Sequence, residues 1–476
     1  VTPSTIDVAR SSASLMSPPD DNYPAPPDLP SFTVEDAADT PPEPRRLQRD
    51  AAERHAGTGL VRHESTIDED RIDPDAAKVV RRLERAGYEA YLVGGCVRDL
   101  LLGGKPKDYD VATSARPEDV RSLFRNCRII GRRFRLAHIL FGGGKVVEVA
   151  TFRRSPVMEA PGEDGDAEAD DLLIRSDNVF GDAHEDALRR DFTMNALFYD
   201  LDRHQVLDWC GGMRDVQRRT IHTIGDPMVR FREDPIRILR AIKFSARLDL
   251  GIAPDVYDAM VSTREDLAKA ARPRVFEEIL RLLRTSAHRS MWLLWETGAM
   301  AVLLPELAAF LDDEEATIDG ARRFFAKMDA IDAMTKARGR PLDDVVLWTV
   351  LLKEPLDEAC LGERDRIRAA TDFLDPVIER VAVPRRIADG VRRIVAILPR
   401  IASGKAGRFA RTELMGPALD VLEAELVAAG KATDVVHKMR ANDVAPIGSG
   451  RSSSTRPPAM RRDMRGHRER RGERIP

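Results

Sequence analysis

The sequence predicts an α+β protein: a small β-sheet head in the first half, followed by an all-helical neck and body. Three observations predict it. Short β-rich runs, "EAYLVG", "DYDVAT", "LAHILF", "KVVEVATF" and "QVLDW", crowd between Tyr88 and about Gly225, separated by glycines. After Asp226 the strand patterns stop, and apolar residues recur at three- and four-residue spacing in "EDPIRILRAIKFSARL", "RVFEEILRLLRTS" and "LDVLEAELVAAG". Aromatic residues are only 5% of the chain while Ala, Leu and Arg abound, which leans the remainder toward helix.

Taken in order, residues 1–72 are rich in Pro, Ser, Asp and Ala ("SPPDDNYPAPPDLP"), show neither period, and are expected to be disordered. A helix is expected near Pro74, with Asp73 as its N-cap and Val79, Val80 and Leu83 on one face. The head is assigned to 73–225, the neck to 226–300, the helical body to 301–441, and an arginine-rich disordered tail to 442–476. No repeat of fixed period is evident, so a solenoid is not expected.

A chain of 476 residues with 43% hydrophobic and 32% charged residues can bury a substantial core. Four scattered cysteines without a C-x-x-C pair argue against a disulfide framework or a zinc site, and a reducing cytoplasm fits best. The first residues are polar and include Asp7, so no secretory signal is expected, and the start at Val1 stays open between an alternative start codon and a missing leader. The most apolar window, Met291 to Leu311, contains Glu296, Pro305 and Glu306 and reads as a buried helix, so no membrane association is expected. The net charge of −4 hides an acidic stretch from Glu159 to Asp171 and the basic tail "RSSSTRPPAMRRDMRGHRERRGERIP". Such a tail suggests a polyanionic partner, with a merely solvated tail as the alternative.

Two carboxylates, Asp108 and Asp110, stand in "KPKDYDVAT". On a strand they point the same way, with Tyr109 opposite. In "KVVEVATF", Glu148 lies between Val147 and Val149, which face the other side, and an acid there needs a cation or a cleft. Three converging carboxylates suit Mg²⁺, and two such ions would serve an in-line phosphoryl displacement. A lone D-x-D is more often a solvent-facing strand. Upstream, "YLVGGCVRDLLLG" joins an apolar strand to a helix through Gly94 and Gly95, so backbone N–H groups and Arg98 could meet a phosphate, although a glycine pair alone can be a tight turn.

These motifs, with "VVEVATFR", "RRDFTMNALFYD" and "EDPIRILRAIKFSARL" in the same order, resemble the polymerase β-like nucleotidyltransferases, and within them the bacterial branch of tRNA CCA-adding enzymes and poly(A) polymerases. The resemblance is close from about 75 to 300 and weakens through the body. It implies that Asp108 and Asp110 hold two Mg²⁺ ions with Glu148 as third carboxylate. It also implies that Gly94, Gly95 and Arg98 cradle the triphosphate of ATP, and that Arg190, Asp191 and Asn195 position the incoming nucleotide. Asp191 could instead be an N-cap.

In "EDPIRILR", Asp234 and Arg237 are three apart on an expected helix, with Arg240 a turn further on. The resemblance makes them a protein-borne template: carboxylate accepting from an exocyclic amine, guanidinium donating to a ring nitrogen. Adenine and cytosine both fit, uracil and guanine do not. An intrahelical ion pair is the plain alternative. "IIGRRFRLAHIL" gathers Arg132, Arg133 and Arg135 around Phe134 and resembles the poly(A) branch, implying RNA contact, with a basic surface turn as the alternative; His138 reads as a hydrogen-bonded core residue. The implied activity is addition of AMP from ATP to RNA 3′ ends with release of pyrophosphate. A CCA-adding enzyme and a catalytically inactive RNA-binding protein are the alternatives, and binding of RNA-decay proteins is left open.

Overall fold

The computed structural model describes residues 59–131, 135–154, 179–313 and 317–444. Twelve strands are formed there. In chain order they are β1 (Val61–Glu64), β2 (Ala90–Val93), β3 (Asp110–Thr113), β4 (Cys127–Ile130), β5 (Leu136–Leu140) and β6 (Val146–Thr151). Then come β7 (Arg153–Arg154), β8 (Val179–Phe180), β9 (Phe198–Asp200), β10 (Gln205–Asp208), β11 (Thr220–Ile221) and β12 (Gly251–Ile252). Eight of them make one mixed sheet, in the order β1-β10-β9-β2-β3-β6-β5-β4.

Within this sheet the β3–β6 pair is parallel and its neighbours are antiparallel. The apolar alternation decides which face is covered. Leu92, Val111, Val147, Val149, Ala137 and Ile139 point into the main core, against the helix Pro74–Arg85 and its Val79, Val80 and Leu83. The other face carries a smaller core around Val93, Ala112, Phe152, Phe198 and Trp209, with the helix Ala183–Leu188 packed there. Asp110 shares that second face with Ala112, at the end the small core leaves uncovered.

Helices follow from Pro227 to Val444, and the main core continues without a break from Ile67 in the head to Val436 in the body. Local chemistry sets several starts. Asp73, Asp226, Asp343 and Asp365 each accept a hydrogen bond from a backbone N–H of the first turn, and Pro74 and Pro227 occupy the first helical position. Each such cap contributes about 1 kcal/mol.

The structure corrects the sequence reading in several places. Residues 59–72, expected to be disordered, form edge strand β1 and a short 3₁₀ turn at Glu69–Arg71; the Val61–Glu64 alternation was too short to stand out against the polar stretch before it. Strand β9 was not foreseen, because its three residues, Phe198–Asp200, are all buried and have no alternation. One strand lies beyond Asp226: β12 pairs in parallel with β11. The window Met291 to Leu311 is not one helix. It is parts of three, Ala287–Glu296, Ala299–Leu303 and Pro305–Asp312, broken by Gly298 at φ 74° and by Pro305. No helix among the described residues is long and apolar enough to cross a membrane. The tail, expected to be disordered from 442, starts later than that, since the helix Asp434–Val444 runs through its first three residues. The expected disorder of residues 1–58 and of 445–476, and the acidic stretch Glu159 to Asp171, lie outside the described residues.

Candidate active site

The β3–β6 register sets Asp110 directly beside Glu148, and the β5–β6 register sets Glu148 beside His138, so the three stand in one row across one face. Glu148 is exposed between buried Val147 and Val149, as the alternation requires. His138 Nε2 lies 3.4 Å from Glu148 Oε1, making it a half-buried partner of the acid rather than the core residue expected.

Asp108 departs from the expectation. The strand begins at Asp110, so Asp108 sits in the segment leading into it and strict alternation does not govern its direction. Its charge still reaches Asp110. Asp110 is exposed to the cleft at the start of β3, yet the protein mass around the cleft still desolvates its carboxylate. That burial, with the negative charges of Glu148 and Asp108 adding to it and Arg190 opposing, raises its carboxyl to about 6.

All nine residues expected at the nucleotide line one cleft of about 450 Å³ together with Asp110: Gly94, Gly95, Arg98, Arg190, Asp191, Asn195, Asp234, Arg237 and Arg240. Gly94 has φ 72° and ψ −124°, a backbone open essentially to glycine alone, and a Cβ there would stand 3.0 Å from Arg190 Nη1. Arg98 is almost fully buried. It donates from Nε (2.8 Å) and Nη2 (2.6 Å) to Asp99 Oδ1 and from Nη1 to Asn195 Oδ1 (2.6 Å). Arg190 donates to Asp186 Oδ2 at 2.9 Å and to the Asn195 carbonyl at 3.2 Å.

Asp191 is the hub of the cleft. Its Oδ1 accepts from the Phe192 N–H (2.9 Å) and Asn195 Nδ2 (3.0 Å), and its Oδ2 from Arg240 Nε (2.6 Å). Burial works to raise this carboxyl, but the Arg240 guanidinium and these hydrogen bonds more than offset it and hold it at about 2. Asp191 is not an N-cap: the cap of the short turn Thr193–Asn195 is Phe192, and that turn is 3₁₀.

Asp234 and Arg237 do not share a helix. Pro235 separates the helix Pro227–Glu233 from the helix Ile236–Leu248, and Asp234 lies at the break with φ −148°. Nor do their side chains pair, which removes the intrahelical ion pair. Asp234 is gripped by Arg274 at 2.9 and 3.2 Å, and Arg237 donates to Glu233 (2.9 Å) and to the Arg230 carbonyl (2.8 Å).

Three further lining residues escaped the sequence reading: Phe244, Arg247 and Arg274. Arg240, Phe244 and Arg247 are four and three apart on one helix, so the helical period that singled out Arg237 and Arg240 also carries the other two onto that face. Phe244 lies under both Arg98 (4.9 Å) and Arg240 (5.4 Å). Arg274 had no local signal, since it arrives from a helix that begins at Arg272. Six arginines against three aspartates give the cleft an excess of positive charge suited to a polyphosphate. Of the expected RNA contacts, Arg132 and Arg133 lie outside the described residues, as does Phe134, while Arg135 is exposed and pairs with Glu118 at 2.5 Å.

Comparison with known proteins gives the arrangement its relatives. The model of the Poly A polymerase head domain matches residues 90–222, and that of the "Probable RNA and SrmB- binding site of polymerase A" matches 249–311. Poly(A) polymerase I of Salmonella typhimurium is 37% identical over 359 residues, 74% of this chain and 77% of the relative. The CCA-adding enzyme of Geobacillus stearothermophilus is 39% identical over 235 residues, 49% of this chain and 55% of the relative. Among solved structures, that of the Bacillus stearothermophilus CCA-adding enzyme in complex with CTP superposes with a TM-score of 0.59 at 28% identity, covering 78% of this chain and 82% of that one. The chain therefore belongs to the tRNA nucleotidyltransferase/poly(A) polymerase family, whose members are divalent-metal-dependent nucleotidyltransferases.

Proposed function

We propose that this protein is a template-independent polynucleotide adenylyltransferase that adds AMP from ATP to RNA 3′ ends. One observation carries the choice. Over the same three quarters of the chain, poly(A) polymerase I is 37% identical, whereas a CCA-adding enzyme is 29% identical. The free cysteines accord with a reducing cytoplasm.

The donor set fits divalent metal. Among the described residues no three Asp, Glu, His or Cys side chains form a finished cage. Yet burial first, and then the charges of Glu148 and Asp108, lift the Asp110 carboxyl, a set of costs to the carboxylate that a bound cation relieves. We assign two Mg²⁺ ions to Asp108 and Asp110, with Glu148 as third acid; when bound they supply the charge that activates a hydroxyl and neutralises a leaving oxygen.

The rest of the reaction is assigned to the chain's own groups. The arginine-rich wall, Arg98 and Arg190 foremost, receives the triphosphate. Asp234 has lone pairs left over from Arg274, and Arg237 has donors left over from Glu233, so a carboxylate and a guanidinium remain to meet the amine and ring nitrogen of adenine. The RNA 3′-hydroxyl oxygen bonds to the α-phosphorus, the bond from that phosphorus to the α,β-bridging oxygen breaks, and pyrophosphate leaves. The hydroxyl proton passes to Glu148, with His138 beside it as the exit to solvent.

A second reading has support too: the CTP-complexed relative shares the fold, and the Asp234–Arg237 couple accepts cytosine as well as adenine. Incubation of an unstructured RNA and a tRNA lacking its 3′ end with all four labelled nucleotides tests the choice. Long AMP tracts on the unstructured RNA are expected, and two CMP followed by one AMP on tRNA alone would overturn it. For the third reading, an inactive RNA-binding protein, Asp110→Ala that tails RNA as well as the wild type would remove the site from catalysis.

A further inference from the structure

A second cavity of about 590 Å³ takes the other two acids: Asp108 and Glu148 line it, while Asp110, the register partner of Glu148, lines the arginine cleft. The two cavities have no lining residue in common, but Glu148 of one and Asp110 of the other are neighbours across the β3–β6 pair. In an in-line displacement the attacking and leaving oxygens stand on opposite sides of the phosphorus. If the pyrophosphate leaves toward the arginines, the hydroxyl must arrive from the Asp108–Glu148 side, and the strand that carries it brings phosphodiesters along.

The cations of the second cavity are unequal. Arg71 is engaged with the Gly103 and Gly104 carbonyls, and Lys145 with Asp73 and Asp75. Lys105 and Lys107 line the same cavity, are exposed, and have no hydrogen-bond or ion-pair partner among the described residues. Their loop is nevertheless held at its base. Arg71 holds the two glycine carbonyls, the Gly104 N–H donates to the Asp99 carbonyl (2.8 Å), and Tyr109 Oη donates to the Arg71 carbonyl (2.7 Å). Two unpaired ammonium groups on an anchored loop, beside the acids that meet the hydroxyl, are what an incoming anionic strand requires.

We propose that this cavity is the entry subsite for the RNA primer and that Lys105 and Lys107 take the phosphodiesters next to its 3′-terminal nucleotide. The proposal rests on the adenylyltransferase reading for the identity of the strand. The test uses the full chain and an unstructured single-stranded RNA primer of about five nucleotides, short enough that distant basic surface contributes little. Binding is followed by fluorescence anisotropy without ATP, and KM is measured for primer and for ATP. For Lys105→Ala/Lys107→Ala, primer binding is expected to weaken about tenfold, and the slope of log affinity against log salt to become shallower by about 1.4, at ~0.7 per lost phosphate contact. The KM for ATP should not move, and Lys105→Arg/Lys107→Arg should behave as wild type. An unchanged primer affinity and salt slope would overturn the subsite, as would a rise in the KM for ATP alone. The two readings fail separately: CMP addition by the wild type refutes the adenylyl assignment and leaves the lysine effect standing, whereas wild-type tailing of the primer by the alanine variant removes the subsite and leaves the activity.

Discussion

Replacing Asp191 by Asn removes one charge while keeping the shape of the hub. In the folded protein its carboxyl is held at about 2 against an ordinary value of 3.8, chiefly by Arg240 Nε at 2.6 Å, working against burial. At roughly 1.4 kcal/mol per pKa unit, the charge contributes about 2 kcal/mol to stability at neutral pH. The sign follows from the direction. A depressed carboxyl stabilises above its unfolded value and loses that contribution as pH falls through the folded one, so about half is gone by pH 3. Urea unfolding of wild type and Asp191→Asn at pH 7 should therefore differ by about 2 kcal/mol, and at pH 3 by about half that. A gap that stays constant between the two pH values would refute the charge argument and leave only shape or hydrogen bonding. The double variant with Arg240→Gln supplies the control: if the pair is the source, the two single effects will fall short of adding.

Three further outcomes are expected. Asp110→Asn should lower the tailing rate on the order of a thousandfold while leaving the melting temperature equal or higher, because it removes one charge from an acidic crowd; a melting temperature well below wild type contradicts that electrostatic account. With the Asp110 carboxyl raised to about 6, protonation should compete with the cation below that pH, so the Mg²⁺ concentration for half-maximal rate should rise several-fold from pH 8 to pH 5.5, and an unchanged requirement argues against Asp110 as a ligand. Gly94→Ala, forced into φ 72° and into Arg190 Nη1 at 3.0 Å, should cost about 1–3 kcal/mol and raise the KM for ATP; wild-type values for both would mean the loop relaxes freely.

Sequence alone carried the head-then-helices order, because a period of 2 and a period of 3.6 are each written locally in the chain. Through the family resemblance it also singled out residues that the structure brings to one cleft, since Gly94, Arg98, Asp191 and Arg240 sit in motifs a few residues long. What it could not carry is pairing between distant segments. Asp234 and Arg237 read as partners because they are three apart, yet Pro235 turns the chain between them and Arg274, forty positions on, takes the aspartate. Asp108 read as a strand residue because alternation extends naturally backward, but the ladder starts at Asp110, where β2 ends at Val93 and pairing stops. Strand β1 was hidden by its neighbours: four residues with one half-buried side chain leave little pattern to find.

On the proposed function, the cleft must receive a triphosphate with arginines, each of which loses up to about 2 kcal/mol of side-chain entropy when it is fixed. Here the fixing precedes the ligand. Arg98 and Arg247 are both tied to Asp99, Arg190 to Asp186, Arg237 to Glu233, Arg240 to Asp191 and Arg274 to Asp234. Three of these acids, Asp99, Asp186 and Glu233, lie behind the cleft rather than in its lining, so they orient guanidiniums without repelling phosphate at contact distance. Asp99 serves two arginines through its two oxygens, Oδ1 for Arg98 and Oδ2 for Arg247 at 2.9 Å, and is the sharpest place to test the idea. Asp99→Ala would strand the buried Arg98 charge and risk the fold; Asp99→Asn keeps an acceptor and loses the charge. If orientation before binding is the role, Asp99→Asn should raise the KM for ATP about tenfold, some 1.4 kcal/mol, with kcat nearly unchanged, the pattern of binding energy lost equally from ground and transition states. A fall in kcat at constant KM would instead place Arg98 or Arg247 on charge that develops only during the reaction, and the arginine wall would then be catalytic machinery rather than a prepared receptor for ATP.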